Sequence, residues 1–283
     1  MKKVAVIQDL SSFGKCSLTA AIPVLSVMGV QACPLPTAVL SAQTEYPSYF
    51  LEDFTSKMKY FIEEWTKLQV TFDGIMTGFV ASGEQIKNIF QFLEKFRTEN
   101  TMLLVDPVMG DDGEVYDVFT GELLEQMKEL AKHADVITPN VTECCLLSGM
   151  DYEKLSSYSN EKDYMKAVKE AGKHLHEITA AKVIITGVNP PVKEPEQSFV
   201  GNMYLDKNHI FNQKIAYNGK SYSGTGDLFS SVMMGGLMSG YTVEKSIELA
   251  VAFLTRAIHD ASKAEVPEIE GVHFEKHLRM LLG

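Results

Sequence analysis

The chain has 283 residues, a formal net charge of -11 and 45% hydrophobic residues. That length holds one large α/β domain or two ordinary ones, and the apolar share supplies a sizeable core. The acidic balance argues against a nucleic-acid binder, which needs Lys and Arg to neutralise phosphates, and no apolar run reaches the ~18 residues of a membrane span.

The N-terminus has the basic start of a signal peptide, but its apolar stretch, Val4 to Ile7, stops at Gln8-Asp9 and is too short for one. It reads as a first strand. Further short apolar runs at 73–77, 102–106, 134–138 and 182–186 predict buried parallel strands. Helical periodicity fills the intervals, at Phe50 to Leu68, Gln85 to Phe96, Leu123 to Ala131 and Tyr164 to Ile178. The Pro-rich stretch from Asn189 to Pro195 reads as a surface loop. Segments 197–205 and 209–217, joined at Asp206-Lys207-Asn208, predict an antiparallel hairpin near a sheet edge. Helices at 227–239, 243–262 and 273–282 close the chain. This alternation predicts a single α/β domain over 1–283, with three α/β/α layers and a mostly parallel central sheet. Cys16, Cys33, Cys144 and Cys145 lack zinc spacing and are expected to be reduced thiols of a cytoplasmic protein.

In such a sheet ligands bind outside the carboxyl ends of the strands. The polar residues there are Gln8-Asp9, Thr77-Gly78, Asp106-Pro107, Thr138-Pro139-Asn140 and Thr186-Gly187. Gly14-Lys15 fails as a phosphate-binding P-loop, because Asp9 and Cys16 stand where Gly and Ser or Thr are needed. No GxGxxG opens the first helix, and His174 and His176 lack a third ligand. Asp106, Asp111 and Asp112 offer oxygens suited to hard cations, although an acidic surface turn has the same composition. Thr138 to Glu143 offer a second set of oxygens, with Glu143 in the first turn of a helix, although an ordinary helix start with favourable dipole placement has the same pattern.

The most telling stretch is Ser223-Gly224-Thr225-Gly226-Asp227-Leu228-Phe229, followed by a helix-patterned run. Glycines let successive N–H groups aim at one spot, and the helix start adds unpaired donors and positive partial charge. This is an anion site, with Asp227 as the nearby group able to take a proton.

Taken in order, Ile7-Gln8 with Gly14, Thr44-Glu45-Tyr46, Thr77-Gly78-Phe79, Asp106 to Asp111, Thr138 to Glu143 and Gly224 to Asp227 resemble the ribokinase-like superfamily, and within it the pyridoxal (vitamin B6) kinases. The resemblance covers essentially the whole chain. It implies an ATP-dependent phosphorylation of a hydroxymethyl group, with Asp227 as base and the N–H groups of Gly224, Thr225 and Gly226 on the γ-phosphoryl oxygens. It places Asn140, Glu143, Thr186, Gly187 and the segment 218–226 on the ATP side. Asp106 and Glu143 then lie close to Mg2+, and Asp106, Asp111 and Thr138 at a monovalent cation, K+ or Na+. Asp9 and Thr44 map to the pyridine ring, with Phe79 and Tyr116 as aromatic walls. A homodimer is implied as well. Two departures stand out: Asp9 replaces the Ser of many pyridoxal kinases, and Ala42-Gln43-Thr44 replaces Asn-His-Thr. Both are closer to the hydroxymethylpyrimidine kinases of thiamin synthesis, which often carry Cys at the position of Asp227. Asp9 is expected to favour an acceptor bearing an amino group, such as pyridoxamine. Outside enzymes, the alternative is a ligand-binding sensor on the same fold.

Overall fold

The N-terminal apolar run becomes strand β1 (Lys3–Ser11), with Val4 to Ile7 fully buried, in the computed structural model of the protein, which describes residues 1–190, 199–207, 209–216 and 219–282. The chain divides into two units, Met1–Leu104 with Lys220–Gly283, and Val105–Gly219.

In the first unit β1 is followed by α1 (Ser17–Val27), β2 (Gln31–Leu40), β3 (Leu51–Asp53), α2 (Thr55–Lys67), β4 (Gly74–Thr77), α3 (Gly83–Phe96) and β5 (Met102–Val105). The strand order is β5-β4-β1-β2-β3. β1 pairs in parallel with β2 and β4, while the short β3 runs antiparallel to β2 at the edge. α3 begins where the Ser82 side chain accepts the N–H of Gln85, and its apolar face buries Ile86, Ile89, Phe92, Leu93 and Phe96. Trp65 of α2, Phe72, Phe92 and Phe96 form an aromatic cluster with ring centroids 4.6 to 6.0 Å apart.

The second unit opens with a hairpin, β6 (Gly110–Asp111) and β7 (Glu114–Val115). Then come α4 (Gly121–Lys132), β8 (Val136–Ile137), α5 (Val141–Ser148), α6 (Tyr152–Ser156), α7 (Glu161–Thr179), β9 (Lys182–Val188), β10 (Phe199–Asp206) and β11 (His209–Ala216). The order is β11-β10-β9-β8, with β8 and β9 parallel and β10 and β11 antiparallel at the edge. The chain returns to the first unit with α8 (Thr225–Met238), α9 (Val243–Lys263) and a 3-10 helix, Phe274–Leu281. There α8 packs between α1 and α9 and reaches β4. No helix among the described residues is long and apolar enough to cross a membrane.

The five strands expected from apolar runs and the edge hairpin are all present. Three details differ. β2 lies where no strand is expected, because Pro34 and Pro36 disguise it. Its β3 partner reaches only Ala38 to Leu40, so the prolines sit where no neighbour on that side needs an N–H. β3 itself occupies the first residues of the helix expected from Phe50. The last helix is of the 3-10 type. Residues 191–195 of the Pro-rich stretch, Asn208 of the hairpin turn and residues 217–218 lie outside the described residues.

Candidate active site

Gly224 caps α8 in the left-handed region, with φ of +79°, and the helix begins at Thr225. A side chain at 224 would overlap the carbonyl oxygen of Lys15, so the turn lies directly against the β1–α1 loop. The hydroxyl of Thr225 donates to the carbonyl of Tyr222 at 2.9 Å, and its N–H donates to the same carbonyl over a longer 3.3 Å. Gly226 is exposed and nothing lies within 4 Å of where its Cβ would be. Asp227 follows in the first turn, half-buried. An open helix N-terminus with a carboxylate in its first turn can hold an oxyanion and accept a proton beside it.

The C-terminal ends of β4, β1 and β2 supply the neighbouring groups of this unit. The register of β1 against β2 shifts between Gln8 and Leu10, and Asp9 sits on that irregularity. Asp9 is buried; burial pushes its carboxyl pKa up, while the hydroxyls of Ser17 and Ser11 (2.7 Å) donate to it and pull it down. Cys16 adjoins both acids: burial and the charges of Asp227 and Asp9 all raise its thiol pKa. In the sequence Cys16 is one of four expected free thiols and a mismatch to the P-loop pattern, yet the fold sets it beside the two carboxylates. Thr44 is exposed in a turn after β2. Phe79, after β4, is half-buried, and its carbonyl accepts from Thr37 at 3.3 Å.

In the second unit the strand ends bring together Asp106, Thr138, Asn140 and Thr186. The N–H of Thr138 donates to Val105 at 3.2 Å, that of Thr186 donates to Pro139 at 2.8 Å, and Asn140 bridges to Thr186. Gly187 follows, exposed, in β9. Asn140 and Glu143 form a reciprocal capping box at the start of α5. The Asn140 side chain also donates to the carbonyl of Gly110 at 2.8 Å, so the box grips the hairpin. Burial, then the neighbouring Asp106, hold the Glu143 carboxyl well above the usual carboxylate range, against the N–H groups of Asn140 and Met109 that it accepts. Asp111 is exposed on β6, and Tyr116 is exposed just after β7, its N–H donating to Met109 at 2.9 Å.

No cluster of three or more His, Cys, Asp or Glu able to hold a metal exists among the described residues. The donor set of Asp106, Asp111 and Thr138 nevertheless fits a hard cation, being all oxygen. Two adjoining acids, Asp106 and Glu143, each disfavour the other's charge, and a cation there relieves that repulsion.

A helix-borne anion turn with its own acid, and strand-end oxygens suited to a nucleotide's counter-ion, define the class: an α/β small-molecule kinase of ribokinase-like fold. The chain belongs to the phosphomethylpyrimidine kinase family, whose model matches residues 12–270. A Bacteroides thetaiotaomicron protein described as a phosphomethylpyrimidine kinase, crystallised with pyridoxal, is 39% identical with a TM-score of 0.88, covering 99% of this chain and 95% of its own. Pyridoxal kinase from Lactobacillus plantarum is 28% identical with a TM-score of 0.86, covering 100% of this chain and 97% of its own. Pyridoxal kinase of Dictyostelium discoideum is 28% identical, over 94% of this chain and 89% of its own length.

Proposed function

We propose that the protein transfers the γ-phosphoryl group of ATP to the hydroxymethyl group of a B6 vitamer, giving the 5'-phosphate and ADP. The observation that carries this reading is Asp227 in the first turn of α8, directly behind the Gly224–Gly226 turn. Asp227 takes the proton of the acceptor hydroxyl as its oxygen bonds to the γ-phosphorus. The bond from that phosphorus to the bridging oxygen breaks, and ADP leaves. The N–H groups of Gly224, Thr225 and Gly226 hold the γ-phosphoryl oxygens as charge develops; one such donor is worth ~3 kcal/mol.

Asp9, Thr44, Phe79 and Tyr116 bind and orient the acceptor ring. Asn140, Thr186 and Gly187 serve the nucleotide. Asp106 and Glu143 would stand close to Mg2+, and Asp106, Asp111 and Thr138 would hold a monovalent cation, K+ or Na+. When bound, Mg2+ neutralises phosphate charge. The chain pairs as a homodimer through the edge strand β3 and its approach, where Tyr49, Phe50 and Leu51 are exposed together with Phe13.

The test is ADP release with MgATP and pyridoxal, pyridoxine, pyridoxamine or hydroxymethylpyrimidine as acceptor. Turnover with the B6 vitamers is expected. Turnover with the pyrimidine alone overturns the vitamer assignment in favour of a thiamin-pathway kinase. No stimulation by any of the four makes the protein a binding module.

A further inference from the structure

The turn that carries Thr44 is tied by side chains to the segment that leads into the anion turn. The N–H of Gln43 donates to the carbonyl of Phe13 at 2.9 Å, and its buried amide Nε2 donates to the carbonyl of Ile269 at 3.1 Å. The amide Oε1 accepts the N–H of Glu45 at 2.9 Å, which fixes the backbone on both sides of Thr44. Glu45 then reaches across 178 residues of chain to accept the hydroxyl of Ser223 at 2.8 Å. Ser223 immediately precedes Gly224. Its N–H donates to the carbonyl of Glu268 at 3.1 Å, and the carboxylate of Glu268 accepts the N–H of Ser221 at 2.9 Å.

We propose that Glu45, through Ser223, is a positioning residue that couples the acceptor turn to the phosphate-holding turn, so that acceptor and nucleotide each tighten the binding of the other. The proposal rests on the kinase reading above. Ordering the 43–46 turn around an acceptor ring fixes the Glu45 carboxylate, and the hydroxyl–carboxylate bond then fixes the residue next to Gly224. A nucleotide arriving at an ordered turn has less freedom to remove, which is how one ligand favours another without touching it. Such coupling is reciprocal by thermodynamic necessity. A group that only supports the fold weakens both ligands alike and leaves their mutual effect unchanged.

The experiment measures the dissociation constant of ADP by titration, with and without saturating pyridoxal, in the wild type and in Glu45→Ala, Glu45→Gln, Ser223→Ala and the Glu45→Ala/Ser223→Ala double variant. Pyridoxal is expected to tighten ADP about five-fold or more in the wild type, the lower range of measured couplings. Glu45→Ala and Ser223→Ala each bring that ratio close to one, and the double variant goes no further. Glu45→Gln keeps an oxygen that accepts from Ser223 and retains part of the coupling. A wild-type ratio of one, or an unchanged ratio in both alanine variants, overturns the proposal. Glu45 is exposed, so its variants fold even if Ser223→Ala does not. Turnover with hydroxymethylpyrimidine but with no vitamer defeats the vitamer assignment instead. In that case hydroxymethylpyrimidine replaces pyridoxal in the same titrations, and the same ratios decide.

Discussion

Glu143 accepts the backbone N–H of Met109 at 3.0 Å, across 34 residues of chain. Its other oxygen accepts the N–H of Asn140 at 2.8 Å, so both oxygens are committed to backbone donors. Removing one acceptor from a buried pair strands an N–H group, at a cost of ~1–3 kcal/mol. Glu143→Gln is therefore expected to lower unfolding stability by about that amount in urea titrations without nucleotide or metal. An unchanged midpoint would mean that the contact to Met109 contributes nothing to holding the hairpin.

Gly224 and Gly226 separate backbone need from ligand need. Gly224→Ala forces a left-handed residue against the Lys15 carbonyl, and should cost ~2 kcal/mol or more with loss of activity. Gly226→Ala has open space around its Cβ, so thermal stability should stay near the wild type while kcat falls, because the methyl group meets the phosphoryl oxygens. Equal losses of melting temperature in the two variants would contradict this.

Asp227→Asn keeps size and helix placement but loses the base. A drop of ~10²–10⁴ in kcat, with ADP affinity near the wild type, is the expected result. Full activity in that variant would show that another group takes the proton.

The pKa of Asp9 is raised above 3.8 in the folded protein by burial. A raised carboxyl contributes stability that is fully present below the unfolded pKa and is lost as pH rises through the folded one. Asp9→Asn should therefore be more stable than the wild type at neutral pH, and the gap should close in acid; denaturation at pH 7 and near pH 4 measures it. In kinetics, the wild type is expected to show higher kcat/KM for pyridoxamine than for pyridoxal, a preference that Asp9→Ser removes. Equal preference in both proteins would sink the role of Asp9 as an amine partner.

Whatever depended on local pattern could be read from the chain. The Gly224–Asp227 turn, the helix start before Glu143 and the strand end at Asp106 all show in neighbouring residues, because caps and strand termini are set by short-range hydrogen bonding, whereas β9 runs two residues past the expected end at Thr186. β2 was hidden because Pro34 and Pro36 are tolerated only by a partner arrangement that no single segment shows. Cys16 beside Asp9 and Asp227, and Glu45 beside Ser223, depend on contacts between distant segments, and local periodicity carries no trace of them. Tyr116 and Thr44 came from resemblance alone, and both are exposed.

Because Gly224 rests on the carbonyl of Lys15, the phosphate-holding turn is cast against the first loop of the chain as against a mould. The side chains of that loop can drift as long as its backbone path stays, except at Gly14, whose φ of +98° and close approach to Gln43 call for glycine. Its length cannot, since one residue more or less between Ser12 and Cys16 would reshape a turn two hundred residues further on. For anyone redesigning acceptor preference, the β1–α1 loop is a place to exchange side chains and never one to graft.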